Sequence, residues 1–363
     1  MAYTAVNKST DYFETKLWTG NETDNRDITG LNFQPDFAWI KARSQNYGHS
    51  LFDAVRGVNK YLCTNSTTAE IDQPSSGYIS QFNSDGYRLK HGSSTFRNVN
   101  DGDNSTTYVS YNWKANGAGS ANTDGATAST VSVNNTAGFS IVKWTGTSGN
   151  TTVGHGMNTA PVFTIVKDLG NSGSNWVVYH KDISPDYAIK LNTTDTQSNS
   201  NNYWQSTAPT NSLLTFTGST ASNGNGNNMI AYCFAEKTGY SKFGSYTGNG
   251  ASGTNPNVDG SFVYTGFKPK WILIKHAHSG TASGEHWNLQ DVKRSTYNPS
   301  IVMLSPNQSS ADNSTNNNGI DFLSNGFKIR NNDGRLNNSG ATYIYAAFGQ
   351  SLVGSNNVPC TAR

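Results

Sequence analysis

The chain has 363 residues, 26 Lys and Arg against 24 Asp and Glu, and a formal net charge of +2. That near balance excludes a basic nucleic-acid footprint and an acidic tail, so no nucleic-acid partner is expected. Hydrophobic residues make up only 34%, but 36 glycines and 12% aromatics separate the chain from a disordered polymer, and the length suggests about two or three domains.

At the amino end, Met1 to Lys8 lack a basic and then apolar segment, and no apolar run approaches the roughly 20 residues of a membrane span. The expectation is a soluble chain made in a cytoplasm, without membrane insertion. Glutamate occurs only as Glu14, Glu22, Glu70, Glu236 and Glu285, and no window sustains helical apolar spacing. Short apolar runs separated by Asn, Ser, Thr and Gly predict an all-β protein.

Three similar segments follow one another. The first opens with Trp18-Thr19-Gly20, continues in Pro35-Asp36-Phe37-Ala38-Trp39-Ile40-Lys41 and closes on Tyr108-Val109-Ser110-Tyr111-Asn112-Trp113. The second opens with Trp144-Thr145-Gly146, continues in Pro161-Val162-Phe163-Thr164-Ile165-Val166-Lys167 and closes on Met229-Ile230-Ala231-Tyr232-Cys233-Phe234. The third uses Tyr246-Thr247-Gly248, Pro269-Lys270-Trp271-Ile272-Leu273-Ile274-Lys275 and Tyr343-Ile344-Tyr345-Ala346-Ala347-Phe348. The proline-to-lysine blocks align without gaps, and the period-2 closing strands predict one packed face. Lys41 lies 126 residues before Lys167, which lies 108 before Lys275, giving units of about 100 residues, the size of a β-sandwich.

These marks predict three tandem antiparallel β-sandwiches at 1–115, 137–237 and 238–350. A flexible Gly/Ala/Ser/Thr/Asn-rich linker is expected at 116–136 and a tail at 351–363. Ser84-Asp85-Gly86-Tyr87 and Ser324-Asn325-Gly326-Phe327 predict hairpin turns, which the second segment lacks. Cys63, Cys233 and Cys360 are distant and odd in number, so free thiols are expected.

Several blocks in this order resemble a repeated domain of unknown function in virion proteins of marine tailed phages, including cyanophages and pelagiphages. They are Tyr12-Phe13-Glu14-Thr15-Lys16-Leu17-Trp18-Thr19-Gly20-Asn21, the run Gly30 to Lys41, Leu51-Phe52-Asp53-Ala54-Val55-Arg56-Gly57, Trp176-Val177-Val178-Tyr179-His180, Ala231 to Glu236, Gly239 to Gly250, and Thr361-Ala362-Arg363. The resemblance spans nearly the whole chain. It implies a jelly-roll, concanavalin-like sandwich of the lectin type, attached to tail fibres, appendages or other particle components. Expected partners are therefore other virion proteins and a host cell-surface saccharide, with a homotrimer as a candidate assembly and the virion, assembled in the host cytoplasm, as the location.

Residues recurring in all three segments point to the fold. Lys41, Lys167 and Lys275 read as edge-guarding strand-end lysines, with a repeated anionic or glycan contact as the alternative. Trp18, Trp144 and Tyr246 read as core plugs. Residues that differ between segments are better partner contacts: Tyr47 and His49, Trp176 and His180, and His286 and Trp287. A saccharide face combines aromatic rings with such polar groups, although inward-pointing aromatics on half-buried strands give the same pattern. Trp204, beside Tyr203 in a polar tract, reads equally as an exposed contact or a plug under a loop. Asp101-Gly102-Asp103-Asn104 suits a calcium loop or a hairpin turn, and no metal or other cofactor is expected. No paired-carboxylate setting, Gly-x-Ser-x-Gly elbow, His-Glu-x-x-His or phosphate-binding loop occurs, so no enzyme is expected. The sequence leads to a non-enzymatic virion component, either a tail fibre or appendage contacting host glycans or a decoration protein cementing the particle.

Overall fold

The computed structural model describes residues 6–94, 98–199, 203–278 and 285–351; Cys360 and the tail expected after Ser351 lie outside them. The described residues form antiparallel sheets with only short helical turns, such as Thr220–Asn223 and Gly334–Asn337. The all-β class therefore holds.

Each aligned segment builds a sheet of the same strand order: opening, closing, lysine-bearing, then a fourth strand. In the first these are Phe13–Thr19, Thr107–Trp113, Phe37–Ala42 and Ser50–Asp53. In the second they are Phe139–Thr145, Asn228–Phe234, Phe163–Asp168 and Val177–His180, and in the third Ser241–Thr247, Thr342–Ser351, Phe267–His278 and Asn288–Asp291. In the second sheet the stretch expected as a linker instead supplies two more strands, Ser120–Asn122 and Ser129–Asn134, beside the opening strand. Its small β-branched and hydroxyl residues fit a sheet margin, where Val131 pairs with Val142 and sits in the core.

The Asp-Gly and Asn-Gly turns form tight hairpins, pairing Asn83 with Gly86 and Leu323 with Gly326. At Gly326 a Cβ would come 2.1 Å from the Val263 carbonyl oxygen, so the close strand crossing requires glycine. These hairpins carry the outer sheets of the first and third segments, which also include Arg26–Ile28 and Phe262–Tyr264; the second uses the pair Thr151–Gly154 and Leu213–Phe216. Between outer and inner layers lie separate cores around Tyr87 and Ile40, around Phe216 and Val166, and around Phe327 and Ile274. Trp18 and Trp144 are buried in the first two, and Tyr246 packs against the third, as the plug reading expects.

The opposite faces of the three inner sheets meet in one shared core. At its centre the equivalent closing-strand residues Trp113, Phe234 and Phe348 touch pairwise, edge to face, with centroids 6.0, 5.7 and 5.6 Å apart. Edge-to-face geometry places the positive rim of each ring on its neighbour's negative face. The inner strands are thus covered on both faces, not one, which is why the lysine-bearing strands read as continuous apolar runs and are buried along their length in the first two segments.

Candidate functional site

Three joints connect the segments, and most of the predicted recognition residues are inside them. His49, Trp176 and Trp287 occupy equivalent positions just before the fourth strand, and all three are buried. Each reaches a backbone carbonyl of a neighbouring segment: the first for Trp176, the second for Trp287 and the third for His49. Trp176 Nε1 donates to Cys63 O at 2.9 Å, Trp287 Nε1 to Lys190 O at 3.0 Å, and His49 Nε2 lies 3.0 Å from Ser305 O. Trp39 Nε1 donates to His49 Nδ1 at 2.9 Å, which fixes the tautomer that presents Nε2–H to that carbonyl. Burial, with Lys41 nearby, holds the His49 pKa well below the usual histidine value.

The lysines expected to guard edges are instead buried on interior strands. Lys167 Nζ donates to Thr67 O and Ser174 O, and Lys275 Nζ to Thr194 O and Glu285 O, so both tie a neighbouring loop to their own segment. Lys41 Nζ donates to Ala42 O and Gln45 O. Loss of water, opposed for Lys41 by Asp312, for Lys167 by Asp168 and for Lys275 by Glu285, pushes the pKa values down to about 7, about 8 and about 8.

A second set sits at the end of each fourth strand. Asp53 accepts from Arg56 at 2.5 Å and from Tyr232 of the second segment at 2.8 Å. Asp291 accepts from Arg294 at 2.5 Å and from Tyr111 of the first segment at 2.9 Å. The corresponding residue of the second segment is His180, whose Nε2 lies 3.2 Å from Tyr345 O of the third. Its Nδ1 accepts the Asp182 N–H, and burial pushes its pKa down to about 4, so the ring is neutral and donates through Nε2.

Trp204 is buried against Tyr179, Tyr203 and Phe216, which makes it the plug of the two readings. His286 is half-buried, its ring nitrogens 2.8 and 3.1 Å from the side-chain amides of Asn307 and Gln308. Tyr47 is half-buried and donates to Asp101 at 2.5 Å. Asp101 also accepts from the Asp103 N–H and the Thr106 hydroxyl, as a turn residue does; oxygens of Glu22, Asp101 and Asp103 lie within 4.8 Å of one another. Five of the seven side chains proposed to face a saccharide are therefore buried, and solvent-borne ligand does not reach them. They do contact a partner, but it is another part of the same chain.

The exposed chemistry lies elsewhere. Tyr264 is 61% and Phe262 48% exposed on the outer sheet of the third segment. Tyr264 forms one wall of a cleft of about 400 Å³, with Glu236, Thr238, Lys242, Thr265 and Gly266 among its other lining residues. Burial works against ionisation of Glu236, but Lys181 at 2.7 Å, the Phe243 N–H and Lys242 hold its pKa below the usual range, so the cleft carries a carboxylate beside an ammonium. Sequence reasoning missed this site. Its signal was Phe262 and Tyr264 alternating around Val263 where the first segment has Asp27 and Thr29 around Ile28.

With this geometry in hand, comparison with protein families is informative: residues 8–351 match the model described as Domain of unknown function (DUF7483). The chain belongs to that family. The match takes in the three joints and the cleft together. No curated protein is detectably similar in sequence.

Proposed function

We propose that the protein is a non-enzymatic structural component of a phage virion, a tail fibre or appendage module that contacts host surface glycans. The observation that carries this reading is the closed arrangement of the segments, each bonded through buried side chains to the next. Recurring polar groups are used up in holding the shape, which suits a stiff display module. Catalysis draws no support from the cleft, whose one carboxylate, Glu236, is engaged by Lys181 and Lys242.

A second reading, decoration of the capsid or tail without ligand binding, is favoured by the burial of His49, Trp176, His180, Trp204 and Trp287. Labelling a carboxyl-terminal tag on intact particles and imaging it by electron microscopy separates the two. Label at the distal tail is expected from the first reading; label over the capsid shell would overturn it.

A further inference from the structure

The aligned outer strands isolate a feature that the fold does not require. Ile28, Val153 and Val263 are equivalent core residues, paired with Tyr87, Leu214 and Phe327. The residues flanking them point away from that core, as strand alternation demands, and all but Gly154, which the Asn122 side chain covers, are at least partly exposed. They are Asp27 and Thr29 in the first segment, Thr152 and Gly154 in the second, and Phe262 and Tyr264 in the third. In the first segment the outward carboxylate is matched to Arg88 at 2.9 Å, an ordinary solvated surface pair. Only the third segment places two large rings there.

Of these rings, Tyr264 lines a polar cleft. The Tyr264 ring lies along Gly266: a Cβ at that glycine would meet its phenolic oxygen and ring carbons at 3.6 to 3.8 Å. Phe262 leans over Gly326, the cross-strand partner of Tyr264, so both rings occupy one stretch of surface. Beyond Tyr264 the cleft is lined by Glu236, Lys242 and Thr238, whereas the Thr265 hydroxyl is buried and donates to Phe267 O. Its volume falls in the roughly 300–1,000 Å³ range of small-ligand sites.

We infer that this cleft binds a saccharide, with a pyranose ring laid on Tyr264. The C–H face of a sugar covers an aromatic ring, a carboxylate accepts from adjacent hydroxyls, and an ammonium donates to hydroxyl or ring oxygens. An apolar ligand would leave Glu236 and Lys242 desolvated without new partners, a cost the saccharide avoids. The inference deepens the glycan part of the proposed function and rests on it, but not on where the protein sits in the particle.

The test uses the full chain and its Tyr264→Ala, Tyr264→Phe and Tyr297→Ala variants on an array of immobilised neutral and acidic oligosaccharides, followed by calorimetry with the strongest binder. Tyr297 is 82% exposed in the same segment and controls for loss of any surface ring. The expected result is a loss of affinity of tenfold or more for Tyr264→Ala, near-native binding for Tyr264→Phe and Tyr297→Ala, and an unchanged thermal midpoint for all three. Saccharide binding unaffected by Tyr264→Ala would overturn this site while leaving the glycan reading in place. Absence of binding across the array, or a Tyr264→Ala defect seen only in protein association, would overturn the site as a saccharide site; particle labelling would still decide the virion reading on its own.

Discussion

Two of the joints are charged and one is neutral, although all use equivalent positions of three separate sheets. At the charged joints an aspartate is held by an arginine three residues on and by a tyrosine from the next segment: Asp53, Arg56 and Tyr232, or Asp291, Arg294 and Tyr111. At the third joint the aspartate position is His180, the arginine position Ile183 and the tyrosine position Ala346. All three members differ together, and the histidine bonds a backbone carbonyl instead. The lesson is physical. A buried carboxylate is tolerated only with its full set of partners, because removing one leaves a charge with neither water nor a counter-ion.

Breaking one member of a charged joint is the strongest way to test this comparison. Arg56→Leu leaves the buried Asp53 carboxylate without its counter-ion, held only by Tyr232 and the backbone N–H groups of Val55 and residue 56, and should cost about 3–5 kcal/mol in urea unfolding; a loss below about 1 kcal/mol would mean the joint is not held electrostatically. Converting the whole set, with Asp53→His, Arg56→Ile and Tyr232→Ala, should be less destabilising than Arg56→Leu alone. Strictly additive losses from the three changes would count against the idea that they act as a unit.

The buried lysines sharpen the comparison through pH. Their folded pKa values, about 7 for Lys41 and about 8 for Lys167 and Lys275, lie below the roughly 10.4 of an unfolded lysine. Between those limits the unfolded chain binds more protons, so stability should climb as pH rises from about 7 towards 10, by at most about 1.4 kcal/mol per pH unit for each lysine. Urea midpoints at both ends of that window should show the climb, and Lys41→Met should reduce it. A flat profile in the parent protein would sink the prediction. The smallest effect is expected from Trp176→Phe, which trims the indole to a phenyl ring and removes the Nε1 donor shared by Cys63 O and Ser66 O; about 1–3 kcal/mol should be lost, read as a lower thermal midpoint.

Much of the fold was legible because strand and turn signals are local. The gapless proline-to-lysine blocks mark strands that take the same place in all three sheets, and Asp85-Gly86 and Asn325-Gly326 mark their hairpins. The joints were illegible because their partners are remote: His49 meets a carbonyl 256 residues away, and Trp176 one 113 residues away. A lysine at the end of an apolar run looks the same whether it faces water or the carbonyls of a folded loop. The double-sided burial of the inner strands was there to be read in Phe37-Ala38-Trp39-Ile40, an unbroken apolar run where a one-sided strand would alternate.

The aromatic triangle of Trp113, Phe234 and Phe348 makes the order of the segments along the chain almost incidental. Each ring touches the other two, whichever segment is synthesised first. The start and the close of the described chain also meet, where the Ser9 N–H donates to the Gln350 side chain at 2.9 Å. A circular permutant that links these two points and reopens the exposed turn at 116–119 would keep every joint and the triangle intact, like a clasped bracelet opened at a different link.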